Sequence, residues 1–105
     1  MQMATLLHGI EIPRAPVERL CSENGVRKLW LFGSILTDRF RSQSDVDVLV
    51  EFDPDQRPTL LTLARLQNQL TALLGRNVDL KTPGFLSRHF RDKVMTEALV
   101  LYERI

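Results

Sequence analysis

The sequence predicts an α/β fold: a short mixed sheet, with strands near residues 28–32, 46–52 and 78–82, packed with helices. Three observations carry this. The apolar run Lys28-Leu29-Trp30-Leu31-Phe32 stops at Gly33, which reads as a strand followed by a turn. A second strand follows in Val46-Asp47-Val48-Leu49-Val50-Glu51-Phe52. Between that strand and a third at Asn77–Thr82 lies a leucine-striped helix, about 59–74, long enough to cross over a sheet.

A chain of 105 residues with 44% apolar content supports one small domain, residues 1–105, with a real core. Its 14 basic and 13 acidic side chains leave a net charge of +1, which argues against a broad footprint for duplex DNA or a membrane surface. No strand face interleaves aromatic and basic residues as a single-strand binder would. One cysteine, Cys21, forms no internal disulfide, and His8 and His89 lie too far apart in sequence to suggest a Cys/His zinc site. With no signal-peptide pattern and no long apolar run, the chain reads as cytoplasmic.

Residues 1–13 give a weak signal, with Ala4–Leu7 readable as a helix extension or an edge. Pro16 suits a first helical turn, and Val17, Leu20 and Cys21 mark one face of a short helix that Gly25 ends. Cys21 reads as a buried small hydrophobe. Trp30 reads as packed core, with a nucleobase platform as the alternative. Residues 34–41 read as a short helix opened by Ser34, whose free amides offer a phosphate site beside Gly33. The loop Asp53–Pro58 is rich in turn formers. Leu60, Leu63, Leu66, Leu70, Leu73 and Leu74 then form the stripe of the longest helix, ended by Gly75. After Pro83-Gly84, the residues Phe85, Leu86 and Phe90 read as anchors of a polar connection, and 91–103 as a final helix.

The chemistry lies on the second and third strands. Side chains alternate across a strand, so Asp45 and Asp47 share one face while Val46, Val48, Val50 and Phe52 share the other. Two carboxylates aimed the same way repel, and a divalent cation is the simplest remedy. Asp79 shares a face with Lys81 on the third strand, opposite Val78 and Leu80. If these strands are neighbours, Asp79 converges on the pair. Three carboxylates beside an amide-lined turn are the hardware of two-metal phosphoryl or nucleotidyl transfer.

The spacing adds to this. Gly33-Ser34, ten intervening residues, then Asp45-x-Asp47 heading an apolar strand, with Asp79 about thirty residues on, resembles the signature of the polymerase-beta-like nucleotidyltransferase superfamily. The chain length and the ending Val94-Met95-Thr96-Glu97-Ala98-Leu99-Val100-Leu101-Tyr102-Glu103 resemble the minimal nucleotidyltransferase (MNT) domain proteins, often paired with a HEPN-domain protein. The resemblance implies the small nucleotidyltransferase fold over about Pro16–Glu103. It implies Asp45, Asp47 and Asp79 as magnesium-binding and catalytic carboxylates, with Gly33, Ser34, Ser44 and Arg39 around the nucleotide. The chain departs from the family where Ala-Arg-Gly is usual: here stand Leu36-Thr37-Asp38. Arg39 and Arg41 are the candidates to replace the missing cation, with an ordinary surface arginine as the alternative for each.

The implied reaction is magnesium-dependent transfer of AMP from ATP to a hydroxyl, in the family's pattern a tyrosine of a HEPN-type toxin, with the chain acting as antitoxin. The alternatives are an antitoxin that neutralises by binding alone and a small-molecule nucleotidyltransferase. So small a domain lacks a second lobe to grip an acceptor, which implies a homodimer or a hetero-oligomer with the partner.

Overall fold

The computed structural model describes residues 4–104, and the side chains of residues 4–6 and 85 lie outside that description, Phe85 with them. The hairpin β1 (Ala4–Leu7) and β2 (Ile10–Pro13) leads into α1 (Arg14–Glu23) and then β3 (Val26–Phe32). Pro16 falls in the first turn of α1, where a missing N–H costs nothing, and Val17 and Cys21 stack one turn apart on its buried face. A 3-10 turn (Gly33–Leu36) separates β3 from β4 (Val46–Phe52), and α2 (Leu60–Leu74) carries the chain over to β5 (Val78–Lys81). Thr59 caps α2 in a reciprocal box with Thr62, and Gly75 ends it at φ 69°, a conformation that favours glycine. A second 3-10 turn (Pro83–Phe85), α3 (Arg88–Glu97) and β6 (Leu99–Glu103) complete the chain.

The main sheet has the order β5-β4-β3-β6. β3 is antiparallel to β4 and β6, whereas β4 and β5 are parallel and joined by the α2 crossover. The sheet therefore is mixed, as the sequence predicts. On one face Leu29, Leu31, Val46, Val48, Val50 and Val78 meet α1, α2 and the hairpin in the main core. On the other, Trp30, Phe32 and Leu49 pack under Leu86 and Val94, so α3 covers only part of that face. The uncovered part is where the carboxylates stand.

Four expectations change. The final helix does not run over 91–103: α3 starts at Arg88, where Ser87 caps it, and stops at Glu97. Ala98 is extended, and Leu99–Glu103 pair along β3, from Leu31↔Leu99 to Lys28↔Glu103. The backbone groups on the outer side of β3 need partners, and Leu-Val-Leu-Tyr suits a strand as well as a helix. Phe90 is not a buried anchor: it is 51% exposed, while Leu86 is buried. Leu60 leaves the leucine stripe and is 78% exposed, since it opens α2 a turn before Leu63 packs on the core. The helix expected over 34–41 closes after Leu36, because the Thr37 hydroxyl donates to the Ser34 carbonyl and accepts from the Arg39 N–H. Such local side-chain bonds compete with helix propagation.

Trp30 is core, 4% exposed, with the Lys28 ammonium 5.1 Å from its ring centre. Cys21 is fully buried, and burial first, then the nearby Glu18, pushes its thiol up to about 12. Among the described residues no helix is long and apolar enough to cross a membrane.

Candidate active site

Parallel pairing of β4 and β5 sets Asp47 beside Asp79 in register, on strands that run about 4.8 Å apart. The same pairing sets Leu49 beside Lys81, and antiparallel pairing with β3 sets Phe32 on the other side of Asp47. Asp45 precedes β4 by one residue and is exposed, whereas Asp47 and Asp79 are half-buried. The condition for convergence, that the two acidic strands be neighbours, is therefore met by the backbone.

Each carboxylate has a distinct neighbourhood. The Asn77 side-chain amide donates to Asp45 Oδ1 at 3.0 Å. The Lys81 ammonium donates to Asp79 Oδ2 at 2.5 Å. Asp47 lies between them, and its carboxyl is pushed above the ordinary carboxylate value. Burial is the main cause; Lys81 pulls the other way, and the charges of Asp79 and Asp45 add to the rise.

Gly33 completes the inner rim. It has φ +78°, and a Cβ there would lie 2.3 Å from Asp47 Oδ2. No side chain fits without expelling the carboxylate. A cleft of about 620 Å³ opens from this point. Gly33, Ser34, Leu36 and Arg39 stand on one side, with Asp47 below. The α3 residues Phe90, Lys93, Val94 and Glu97 form the other wall.

Of the residues singled out from the sequence, Gly33, Ser34, Arg39 and Asp47 meet in this cleft. Asp79 and Asp45 flank it through Asp47. Ser44 does not line it: its hydroxyl accepts from the Arg41 N–H at 3.0 Å, and its carbonyl accepts from Arg76 at 2.8 Å. The exposed Arg41 folds back on its own loop and donates to the Asp38 and Phe40 carbonyls, at 2.8 and 3.3 Å. Lys93 leaves no signal in the sequence, because the wall it joins exists only once α3 is docked on the sheet. Lys81 left a signal, its i, i+2 spacing from Asp79.

Among the described residues no three His, Cys, Asp or Glu side chains stand close enough to share an ion. Lys81 draws off Asp79, and Asn77 holds Asp45. The donors are nonetheless all oxygen, the set magnesium takes, and the backbone already aligns two of the three.

The nucleotidyltransferase domain pattern matches residues 15–102, which take in the main sheet except the last residue of β6. The chain belongs to that family. A relative from Thermococcus cleftensis, a protein adenylyltransferase called MntA, is 35% identical over 94% of this chain and 98% of its own length. A solved structure of a proposed minimal nucleotidyltransferase is 37% identical and superposes with a TM-score of 0.69, covering 82% of this chain and 86% of that one. The fold also matches a chain of the tri-AMPylated Shewanella oneidensis HEPN toxin in complex with MNT antitoxin, at a TM-score of 0.62 and 20% identity, covering 87% of this chain and 70% of that one. Membership makes the chain a nucleotidyltransferase by descent.

Proposed function

We propose that this nucleotidyltransferase transfers AMP from ATP to a tyrosine hydroxyl of a helical HEPN-type partner, and so acts as its antitoxin. The observation that carries the reading is the register of Asp47 with Asp79, with Gly33 closed against Asp47 at the mouth of the cleft. The protein adenylyltransferase relative and the likeness to the HEPN toxin–MNT antitoxin complex support the choice of acceptor.

In this reading Asp45, Asp47 and Asp79 hold magnesium. Magnesium supplies charge neutralisation for the triphosphate and for the departing pyrophosphate. Gly33 and Ser34 hold the terminal phosphates through the turn, with Arg39 as the nearby cation. The acceptor oxygen attacks the α-phosphorus in line, a new P–O bond forms, and the bond to the β,γ-diphosphate breaks. Pyrophosphate leaves, and Asp79 accepts the hydroxyl proton. The rate gain comes from positioning and from charge placed in advance.

Asp38 and the Lys81–Asp79 pair favour a second reading, an antitoxin that neutralises its partner by contact alone. The ion pair sets a cation against a metal site, and Asp38 stands where the family usually carries glycine. Incubation with α-labelled ATP, magnesium and the HEPN-type partner separates the two readings, with Asp45→Asn/Asp47→Asn run in parallel. Label on the partner only with intact carboxylates is the expected result. No label, with equal neutralisation by both forms, would overturn transfer in favour of binding.

A further inference from the structure

Asp45, Asp47 and Asp79 do not converge on one position: Asn77 holds Asp45, and Lys81 holds Asp79. Its side chain leaves β5 two residues after Asp79, on the same face of the sheet, and its ammonium reaches Asp79 Oδ2 at 2.5 Å. Neither partner is deeply buried, with side-chain exposures of 37% and 42%, so both retain freedom to part. Lys81 is also level with Leu49, one step along from Asp47, close enough for its charge to act on the Asp47 carboxyl.

Charge counting gives the contact a meaning. Asp45, Asp47 and Asp79 with Lys81 carry two net negative charges, which one divalent cation neutralises. A second divalent ion would leave a surplus of positive charge in a half-buried site until an anion arrived. The triphosphate of ATP is such an anion, and it brings a cation of its own.

We propose that Lys81 is the resting counter-ion of Asp79 and occupies the second cation position until nucleotide binds. This rests on the reading of the three carboxylates as a metal site. The free protein then takes up one divalent ion, at Asp45 and Asp47. The second enters only with ATP, when Lys81 releases Asp79. Lys81 is a positioning residue here: it acts through Asp79 and sets the order of loading.

Manganese titration followed by electron paramagnetic resonance tests this, since it counts ions without requiring turnover. Wild type is expected to bind one manganese per chain alone and a second with a non-hydrolysable ATP analogue. Lys81→Met, which keeps the aliphatic stem, is expected to take the second ion without nucleotide, with affinity raised about tenfold or more as the competing charge is lost. Lys81→Arg should behave as wild type. Lys81→Gln repeats the measurement on a polar variant in case the methionine form does not fold. Loss of thermal stability in metal-free buffer, recovered by manganese, is the expected companion of either neutral variant. Two ions in free wild type, or unchanged stoichiometry and affinity in both neutral variants, would overturn the proposal while leaving the metal site standing. No manganese uptake by wild type with or without the analogue would overturn the metal-site reading, and this proposal with it.

Discussion

Gly33 and Asp47 occupy one another's space: the position of a Cβ on Gly33 lies 2.3 Å from Asp47 Oδ2. The turn after β3 and the acidic strand β4 are thereby locked together by the absence of a side chain. Gly33→Ala adds a methyl group that must displace the carboxylate, and it does so at φ +78°, where alanine is itself strained by about 1–2 kcal/mol. The expected result is a folded but less stable protein with magnesium–ATP binding reduced by an order of magnitude or more. Calorimetric titration beside thermal melting checks it; unchanged nucleotide affinity would mean that Gly33 does not hold Asp47 for function.

Asp47 makes the metal-free protein sensitive to pH in a defined direction. Its folded-state value is raised from the ordinary 3.8, chiefly by burial. Between the unfolded and folded values the native state binds more protons than the unfolded chain, so stability falls as pH rises through that window. Above the window the cost stays constant. Asp47→Asn removes it, so the variant should gain on wild type as pH climbs from about 4, where an unfolded aspartate titrates. Urea midpoints in metal-free buffer across that range report the difference. Parallel curves for the two proteins would refute the assignment.

The acidic pair and the third strand were legible because a strand of period two declares its faces in the sequence. Asp45 and Asp47 had to point together, as did Asp79 and Lys81, and only the pairing of β4 with β5 had to be learned. The end of the chain was not legible. The helical spacing of Val94, Ala98 and Leu101 continues into residues that β3 claims as a strand, a decision made by unpaired backbone groups far away in sequence. Phe90 and Lys93 could not be placed in the cleft for the same reason, since a wall has no meaning until the helix bearing it is docked. The roles of Arg39 and Arg41 also depended on the loop, since two arginines so close look alike until one of them folds back on the loop itself.

That divergence is testable. The Arg39 side chain lines the cleft and makes no hydrogen bond or ion pair among the described residues, whereas the Arg41 guanidinium bonds two carbonyls of its own loop. Arg39→Ala should leave the melting temperature within about 2–4 °C of wild type, as an exposed substitution does, yet weaken magnesium–ATP binding several-fold. Arg41→Ala should lower stability by about 0.5–2 kcal/mol through its lost carbonyl contacts. Equal effects of the two substitutions on nucleotide affinity would remove the distinction between them.

Arg76 controls the same loop from outside. Its guanidinium donates to the Arg41 carbonyl at 3.0 Å and the Ser44 carbonyl at 2.8 Å, and it lies 4.8 Å over the ring of the buried Phe40. His8 also packs against that ring, with centroids 5.0 Å apart. The loop that carries Arg39 to the cleft and Asp45 to the head of β4 is thus held at Phe40, Arg41 and Ser44 by one side chain. Arg76→Ala should cost about 1–3 kcal/mol, combining charge-assisted hydrogen bonds with a partly desolvated cation–π contact. Because Arg76 lies outside the cleft, its loss should act on the nucleotide through loop order. Arg76→Lys supplies the charge without the planar guanidinium that lies over Phe40 and should recover stability only in part. Amide hydrogen exchange over residues 37–45 is the deciding measurement. Faster exchange there with weaker nucleotide binding supports the clamp, and an affinity loss with unchanged exchange would show that Arg76 reaches the nucleotide directly.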